Sequence, residues 1–256
     1  MSVKKIIFLN QKGGVGKTTT AVNLGSALAQ MGKKVLLIDL DSQGNLTSAI
    51  SADNRIPGIY EVIAGQCSAR EACQKTSIQN LFAISSNINM AGLNIELVTQ
   101  DDREYFLKQA LEDLDDTWDY ILADCPPSLG LVTMNAMVWA QYVIIPMQCE
   151  YFAMEGLNLL MRTIANIKKS LNPDLQVLGI LFTMYSKRTK LANEVVEDIS
   201  SFFSNLVFST LIPRNVRIAE APSHGLPINA YDVSSSGSKA YRFLAEEVVN
   251  RVARNQ

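Results

Sequence analysis

Seven short apolar segments alternate with longer amphipathic segments along this chain of 256 residues. The apolar segments are rich in Ile, Val and Leu without polar alternation, which is typical of strands covered on both faces. They lie at residues 6–9, 35–40, 81–84, 120–123, 142–146, 177–182 and 207–212. Helical periodicity predicts helices at residues 18–31, 103–114, 131–140, 155–170, 191–203 and 237–253.

The alternation of strand and helix predicts an α/β fold with a doubly wound, mostly parallel sheet and helices on both faces. Hydrophobic residues make up 48% of the chain, so we expect residues 1–256 to form a single well-buried domain. In sheets of this kind, ligands bind beyond the carboxyl ends of the strands. We therefore expect the functional site at the loops 11–17, 41–45 and 124–130.

A glycine-rich loop joins the first predicted strand to the first predicted helix, with the sequence Gln11-Lys12-Gly13-Gly14-Val15-Gly16-Lys17-Thr18-Thr19. Its glycines let backbone N–H groups approach phosphate oxygens, and the helix N-terminus adds partial positive charge. In such a loop Lys17 reaches the β and γ phosphates and Thr18 holds Mg²⁺. Gln11 replaces the first glycine of the usual G-x-x-x-x-G-K-[ST] pattern, and Lys12 is an additional lysine. This departure narrows the prediction to one group of nucleotide-dependent switches.

Aspartates end two of the predicted strands. Asp39 and Asp41 lie at the end of the second strand, and Asp124 follows the fourth and precedes Pro126-Pro127. Each aspartate alone is also compatible with a helix cap or a solvated loop. Because buried carboxylates are costly unless they are paired, hydrated or close to a cation, the neighbouring phosphate loop favours Mg²⁺ and an attacking water.

Basic residues cluster at 184–190 and 213–217, although the formal net charge of the whole chain is -2. That charge does not predict nucleic-acid binding, so any such function depends on a local patch. Charge runs are usually solvated faces. Both segments follow predicted strands, however, so their Arg and Lys side chains could meet the phosphates of a nucleotide or of DNA.

Four cysteines form no C-x-x-C pair, so we interpret them as reduced thiols and expect no zinc or iron–sulfur site. There is no signal-peptide pattern, and no apolar stretch approaches the roughly 18 residues of a membrane span. The last predicted helix presents Tyr241, Leu244, Val248 and Val252 at helical spacing, which we interpret as a core face. We therefore expect a cytoplasmic protein without stable membrane association.

The motifs together resemble those of the ParA/Soj partition ATPases, which belong to the ParA/MinD family of deviant Walker-A ATPases. The resemblance rests on Lys12–Thr19, on Asp39-Leu40-Asp41-Ser42-Gln43-Gly44-Asn45, on Asp124-Cys125-Pro126-Pro127-Ser128 and on Pro213-Arg214-Asn215-Val216-Arg217. The order of segments is similar from about residue 4 to residue 251. Ser42 is a departure, since the family usually has proline there, but it removes no charged group.

The resemblance implies slow, partner-stimulated hydrolysis of ATP with Mg²⁺. The implied catalytic residues are Lys12, Lys17, Asp41 and Asp124, with Asp41 orienting the attacking water. The implied nucleotide contacts are Lys12, Gly13, Gly14, Val15, Gly16, Lys17, Thr18 and Thr19, with Pro213 and Asn215 near the adenine. The implied magnesium residues are Thr18, Asp39 and Asp124.

The resemblance also implies a homodimer that forms on ATP binding, with Lys12 reaching the phosphates bound by the other subunit. Such a lysine would offset the repulsion between two facing nucleotides only while the γ-phosphates are present, so ATP would favour the dimer. Arg188 and Arg217 match basic positions that bind double-stranded DNA without sequence preference. The implied partner is a ParB-type centromere-binding protein, and the implied location is the nucleoid.

Three alternatives stay open on the sequence. The first is a MinD-like regulator at the membrane, which needs a membrane-binding helix that the acidic Glu246-Glu247 pair disfavours. The second is a small-molecule enzyme or metallocluster carrier of the same fold. The third is an ATPase that positions a protein cargo instead of DNA.

Overall fold

The computed structural model describes residues 3–114 and 117–254. In this part of the chain, seven strands form one sheet in the order β3-β4-β2-β5-β1-β6-β7. The strands are β1 Lys4–Phe8, β2 Val35–Asp39, β3 Gln74–Lys75, β4 Leu81–Ile84, β5 Tyr120–Asp124, β6 Tyr142–Gln148 and β7 Gln176–Thr183. The short β3 pairs antiparallel with β4, and the other neighbouring strands of this sheet pair in parallel.

Helices cover both faces of the sheet. They are α1 Lys17–Gln30, α2 Asn45–Ala49, α3 Ile59–Ile63, α4 Ala69–Ala72, α5 Met90–Glu96, α6 Phe106–Ala110, α7 Leu131–Trp139, α8 Ala153–Ser170, α9 Lys190–Phe203, α10 Val216–Glu220, α11 Ile228–Tyr231 and α12 Ser236–Arg254. Two short 3₁₀ turns lie at Glu112–Leu114 and Ala221–His224. The architecture confirms the predicted doubly wound α/β fold.

The core is divided by the sheet into two clusters. Alternate residues of β1 point to opposite faces, so Ile7 packs with α7 and α8 whereas Phe8 packs with α1 and α12. Tyr241, Leu244 and Val248 of α12 are buried in the second cluster, as their helical spacing predicted. No helix in the described residues is long and apolar enough to cross a membrane.

The predicted strand at residues 207–212 is wrong, because this segment only touches β7 at isolated points. The N–H of Phe208 donates to the carbonyl of Ile180, and the N–H of Ile212 donates to the carbonyl of Phe182. A step of four residues along this segment is therefore matched to a step of two residues along β7. A regular ladder cannot pass such a mismatch. The intervening N–H groups of 209 and 210 instead donate to the carboxylate of Glu247 on α12, at 2.8 and 3.0 Å.

The predicted helix at residues 103–114 is wrong in its extent, since α6 covers only Phe106–Ala110 before a 3₁₀ turn. Asn135 of α7 is the cause. Its Oδ1 accepts from Leu107 N at 3.0 Å and its Nδ2 donates to Arg103 O at 2.8 Å, which replaces the bond that a continuous helix would form between those two residues.

Candidate nucleotide-binding site

The loop between β1 and α1 has a backbone that requires glycine. Gly14 has φ +72° and Gly16 has φ +88°, both in the left-handed region that strains other residues. Gly16 caps α1, so the first N–H groups of the helix, from Lys17 onward, open toward the space above β1. Together with the helix dipole, they form a site for anionic oxygens.

The ends of two neighbouring strands hold this loop from below. Gln148 at the end of β6 donates from Nε2 to Gly14 O at 2.7 Å, and Thr183 at the end of β7 donates from Oγ1 to Val15 O at 2.7 Å. Because a trans peptide unit points its C=O and N–H in opposite directions, these bonds turn the N–H groups of Val15 and Gly16 away from the strand ends. Neither Gln148 nor Thr183 was predicted from the sequence. Their position at the carboxyl ends of strands is the signal that would have identified them.

Lys17, Thr18 and Asp124 meet at the mouth of the loop. Thr18 Oγ1 donates to Asp124 Oδ2 at 2.5 Å, and Lys17 Nζ lies 3.4 Å from Lys12 O. Lys17 is buried, which lowers its pKa, and the carboxylates of Asp124 and Asp41 partly oppose this. These three residues, all named from the sequence, therefore converge at one place, as the parallel sheet requires.

Asp124 is buried beside another carboxylate. It lies next to Asp39 in the register of β5 and β2. Burial and the charge of Asp39 raise the pKa of Asp124 to about 8. Its Oδ1 atom is buried without a hydrogen-bond partner among the described residues. A buried carboxylate oxygen beside a threonine hydroxyl suits Mg²⁺, which binds oxygen ligands and takes few of them from the protein, so these residues fit a magnesium ion.

Asp39 uses both of its oxygens to hold the loop that follows β2. Oδ1 accepts from Asp41 N at 3.1 Å, and Oδ2 accepts from Thr47 N at 2.9 Å and from Thr47 Oγ1 at 2.8 Å. Thr47 Oγ1 in turn accepts from Ser86 N at 2.9 Å. Burial raises the pKa of Asp39 to about 6 in spite of the bonds from Thr47. Thr47, which was not predicted from the sequence, therefore links the Asp41 loop to the ends of β2 and β4.

The phosphate loop opens into a cleft of about 550 Å³ that Lys17, Thr18 and Asp41 line. An adjoining hollow of about 300 Å³ shares Gly16, Thr19, Met184 and Pro222 with the cleft. Its lining is mostly apolar and includes Ile212, Pro213, Asn215, Ile218 and Tyr241. The hollow has the position and the lining expected for a nucleotide base, and it contains the two residues predicted near the adenine.

Lys12 and the two predicted DNA-binding arginines lie outside the cleft. Lys12 lines a separate small hollow and forms an ion pair with Glu150, and the two side chains are 59% and 47% exposed. Arg217 pairs with Glu220 at 2.9 Å and with Asp232 at 3.6 Å. Arg188 is exposed on the loop between β7 and α9, without an ion-pair partner in the described parts of the chain.

A family model described as an AAA domain matches residues 3–177. The chain is 50% identical to the chromosome-partitioning ATPase Soj of Treponema pallidum, covering 97% of this chain and 98% of that protein. It is 47% identical to the sporulation initiation inhibitor protein Soj of Bacillus subtilis, covering 96% and 98%. Among solved structures, it is similar to cobyrinic acid a,c-diamide synthase from Mycobacterium smegmatis with bound ATP analogue and magnesium, with a TM-score of 0.88, 35% identity and coverage of 99% and 97%.

Asp124→Asn is expected to stabilise the protein without nucleotide or metal at high pH. Folding raises the pKa of this carboxyl from 3.8 to about 8. Between these two pH values, the folded protein therefore keeps a proton that the unfolded chain has already released. Stability therefore falls as the pH rises through that window in the wild type. We expect the variant to gain about 1–3 kcal/mol over the wild type once the pH exceeds the folded pKa, the usual cost of a buried polar group left unpaired.

Thermal unfolding across this pH range measures the effect. Asp174→Asn, at an exposed aspartate, serves as the matched control and should keep the wild-type pH profile. Adding Mg²⁺ with ATP should make the wild type more stable than the variant. The charged carboxylate of the wild type can then bind the metal ion, and the neutral side chain of the variant cannot. An unchanged pH slope in Asp124→Asn would contradict the assignment.

Proposed function

This chain belongs to the Soj/ParA family of chromosome-partitioning ATPases, and on that premise we propose that its ATP-bound form is a homodimer that binds DNA without sequence preference and works with a ParB-type partner. It is an ATPase that uses ATP and Mg²⁺. The observation that carries the proposal is the placement of two lysines on one loop. Lys17 lines the cleft, whereas Lys12 lies outside it with an exposed side chain.

Within one subunit, we assign the phosphates to Lys17 and to the N–H groups of residues 13–19. Thr18 and Asp124 would hold Mg²⁺, which when bound neutralises charge on the phosphate oxygens. Asp41 would orient the attacking water, and Asp39 would support the metal side by its charge and by holding the Asp41 loop. Pro213 and Asn215 would lie beside the adenine.

Lys12 would act on the nucleotide of the other subunit. Its present partner, Glu150, is an exposed carboxylate, and an ion pair of this kind contributes only about 0–1 kcal/mol. Two facing nucleotides place several phosphate charges close together, which is a stronger attraction for a lysine than one solvated carboxylate. Since the γ-phosphate is lost on hydrolysis, the exchange of partners would favour the dimer with ATP and release it afterwards.

Arg188 is the better placed of the two proposed DNA contacts. Arg217 already faces two carboxylates, whereas Arg188 is exposed and unpaired within the described residues. With a net charge of -2, one subunit has little general attraction for DNA. A dimer presents each basic contact twice, so DNA binding would depend on ATP. We expect such a protein on the nucleoid in the cytoplasm.

The membrane alternative is disfavoured by α12. Its apolar residues Tyr241, Leu244 and Val248 are buried against the core, so this face is not available to lipid. The exposed side of the helix carries Glu246, which opposes anionic headgroups.

The proposal is tested by DNA binding with ATP, with ADP and without nucleotide. We expect binding with ATP alone. Arg188→Glu should weaken it at least tenfold and lower the slope of log affinity against log salt by about 2, because a dimer loses two phosphate contacts. Arg162→Glu, at an exposed arginine of α8, is the matched control and should bind like the wild type. Equal binding with all three nucleotide states would refute ATP-dependent DNA binding.

Lys12→Ala is expected to abolish the ATP-dependent dimer while preserving ATP binding by one subunit. The measurement is analytical ultracentrifugation in the Asp41→Ala background, which should retain ATP. Lys168→Ala, at an exposed lysine of α8, serves as the control for loss of one positive charge. A dimer of unchanged stability in Lys12→Ala would remove the contact between subunits from the mechanism.

Thr47→Val is expected to lower kcat at least tenfold with little change in the KM for ATP. The substitution keeps the shape of the side chain but removes the hydroxyl that bonds to Asp39, so the Asp41 loop keeps only the backbone bonds from Asp41 N and Thr47 N and is held less firmly. Thr47→Ser retains the hydroxyl and should recover most of the rate. Steady-state hydrolysis measures both variants, and a parallel loss in Thr47→Ser would argue for packing instead of the hydrogen bond.

A further inference from the structure

The segment 88–98, which contains helix α5 and the turns on either side of it, has both buried and exposed apolar residues. Its inward residues Met90, Leu93 and Leu97 are buried in the core. Three apolar residues of this segment are exposed: Ile95 within α5 at 79%, Ile88 in the turn before the helix at 76%, and Val98 in the turn after it at 51%. A surface helix normally carries polar residues on its outer side, and clustered exposed apolar residues mark interaction sites.

The surroundings of these exposed apolar residues are acidic. The sequence contains no Lys or Arg between Lys75 and Arg103, and the exposed Glu96, Asp101 and Asp102 lie within a few residues of Ile95 and Val98 along the chain. Arg103 is occupied by Glu104 and by the carbonyl of Val98. We define the α5 face as Ile88, Ile95, Val98, Glu96, Asp101 and Asp102. A symmetric contact between two copies of this face would bring like charges together, so the face favours a basic occupant.

We propose that the α5 face docks an amphipathic helical segment of a protein partner, with an apolar stripe flanked by Lys or Arg, and that docking there stimulates ATP hydrolysis. This inference rests on the proposed function, since it gives the surface through which a stimulating partner acts. The apolar stripe supplies affinity and the acidic rim supplies selectivity for a basic partner.

The inward side of α5 connects this surface to the first acidic loop. Leu93 and Leu97 line a small void of about 10 Å³ together with Leu40. Leu40 lies between Asp39 and Asp41, the two residues that the hydrogen bond from Asp41 N to Asp39 Oδ1 joins. A displacement of α5 is therefore transmitted to the residue proposed to orient the attacking water.

The same helix also contacts the second acidic loop. Asn94 Oδ1 accepts a long bond from Val132 N at 3.4 Å, and a Cβ added to Gly130 would lie 2.8 Å from this Oδ1 atom. Gly130 ends the loop that begins after Asp124 and caps α7. One helix thus touches both loops that carry the proposed catalytic carboxylates. A partner that favours one position of α5 therefore shifts the conformational equilibrium of both loops.

The docking surface is tested with two fluorescent synthetic peptides of equal length, one with Leu and Lys at amphipathic helical spacing and one with Leu and Glu. Fluorescence anisotropy measures binding to the wild type and to the double variant Ile88→Ser with Ile95→Ser. The control is Leu191→Ser with Phe202→Ser, which removes exposed apolar residues from α9.

We expect the Leu–Lys peptide to bind the wild type and the α9 control, and to bind the α5 variant at least tenfold more weakly. The Leu–Glu peptide should bind none of them. Equal binding of the Leu–Lys peptide to all three proteins, or binding of the Leu–Glu peptide to the α5 face, would overturn the inference.

The coupling is tested by hydrolysis with the full-length ParB-type protein of the same organism. The α5 variant should keep the basal rate and lose the stimulation, whereas Asn94→Ala should bind the Leu–Lys peptide normally yet respond less to the partner. Full stimulation of the α5 variant would overturn the inference and leave the proposed partnership intact. A partner that fails to stimulate the wild type would refute that partnership, while the peptide measurement still decides the docking surface.

Discussion

Two buried carboxylates side by side, Asp39 and Asp124, are the constraint around which this site is built. Parallel pairing of β2 and β5 places them next to each other at the carboxyl edge of the sheet, where little water reaches them. Such a pair is costly unless each carboxylate has a use for its charge. Their hydrogen bonding differs, and on the proposed function this difference separates the structural role of Asp39 from the metal-binding role of Asp124.

Asp39 is satisfied by its own loop, since Thr47 and Asp41 donate to both of its oxygens. Asp124 keeps one oxygen without a partner in the described chain and shares the other with Thr18. Thr18 stands at the end of the phosphate loop, where Lys17 is also buried. A magnesium ion bound with the nucleotide would supply a partner for the unsatisfied oxygen of Asp124. Nucleotide binding would therefore offset the free-energy cost of the buried carboxylates.

The ion pairs on the outer surface differ from the buried carboxylates, because solvent-exposed ion pairs contribute little free energy. Lys12 with Glu150, and Arg217 with Glu220 and Asp232, are exposed pairs that a phosphate can replace at little cost. In the proposed function, the buried carboxylates make the state of the protein depend on the nucleotide, and the exposed ion pairs exchange partners when that state changes. Helix α5 lies between the buried site and the surface. Its inner side packs beside Leu40 and Gly130, and its outer side is exposed.

The sequence by itself determined the α/β order, most strands and long helices, the glycine-rich loop and the convergence of Lys17, Thr18, Asp41 and Asp124, because periodicity and strand-end position are local properties. Tertiary structure decided what depends on distant side chains. Glu247 takes the N–H groups that a strand at 207–212 would have used, and Asn135 opens the start of the helix predicted from residue 103. Gln148 and Thr183 likewise bond to the phosphate loop, which lies far from them along the chain. Thr47 accepts a hydrogen bond from Ser86, which is also distant in sequence. A hydrogen bond of this kind has no periodicity, so its partners are known only once the chain has folded.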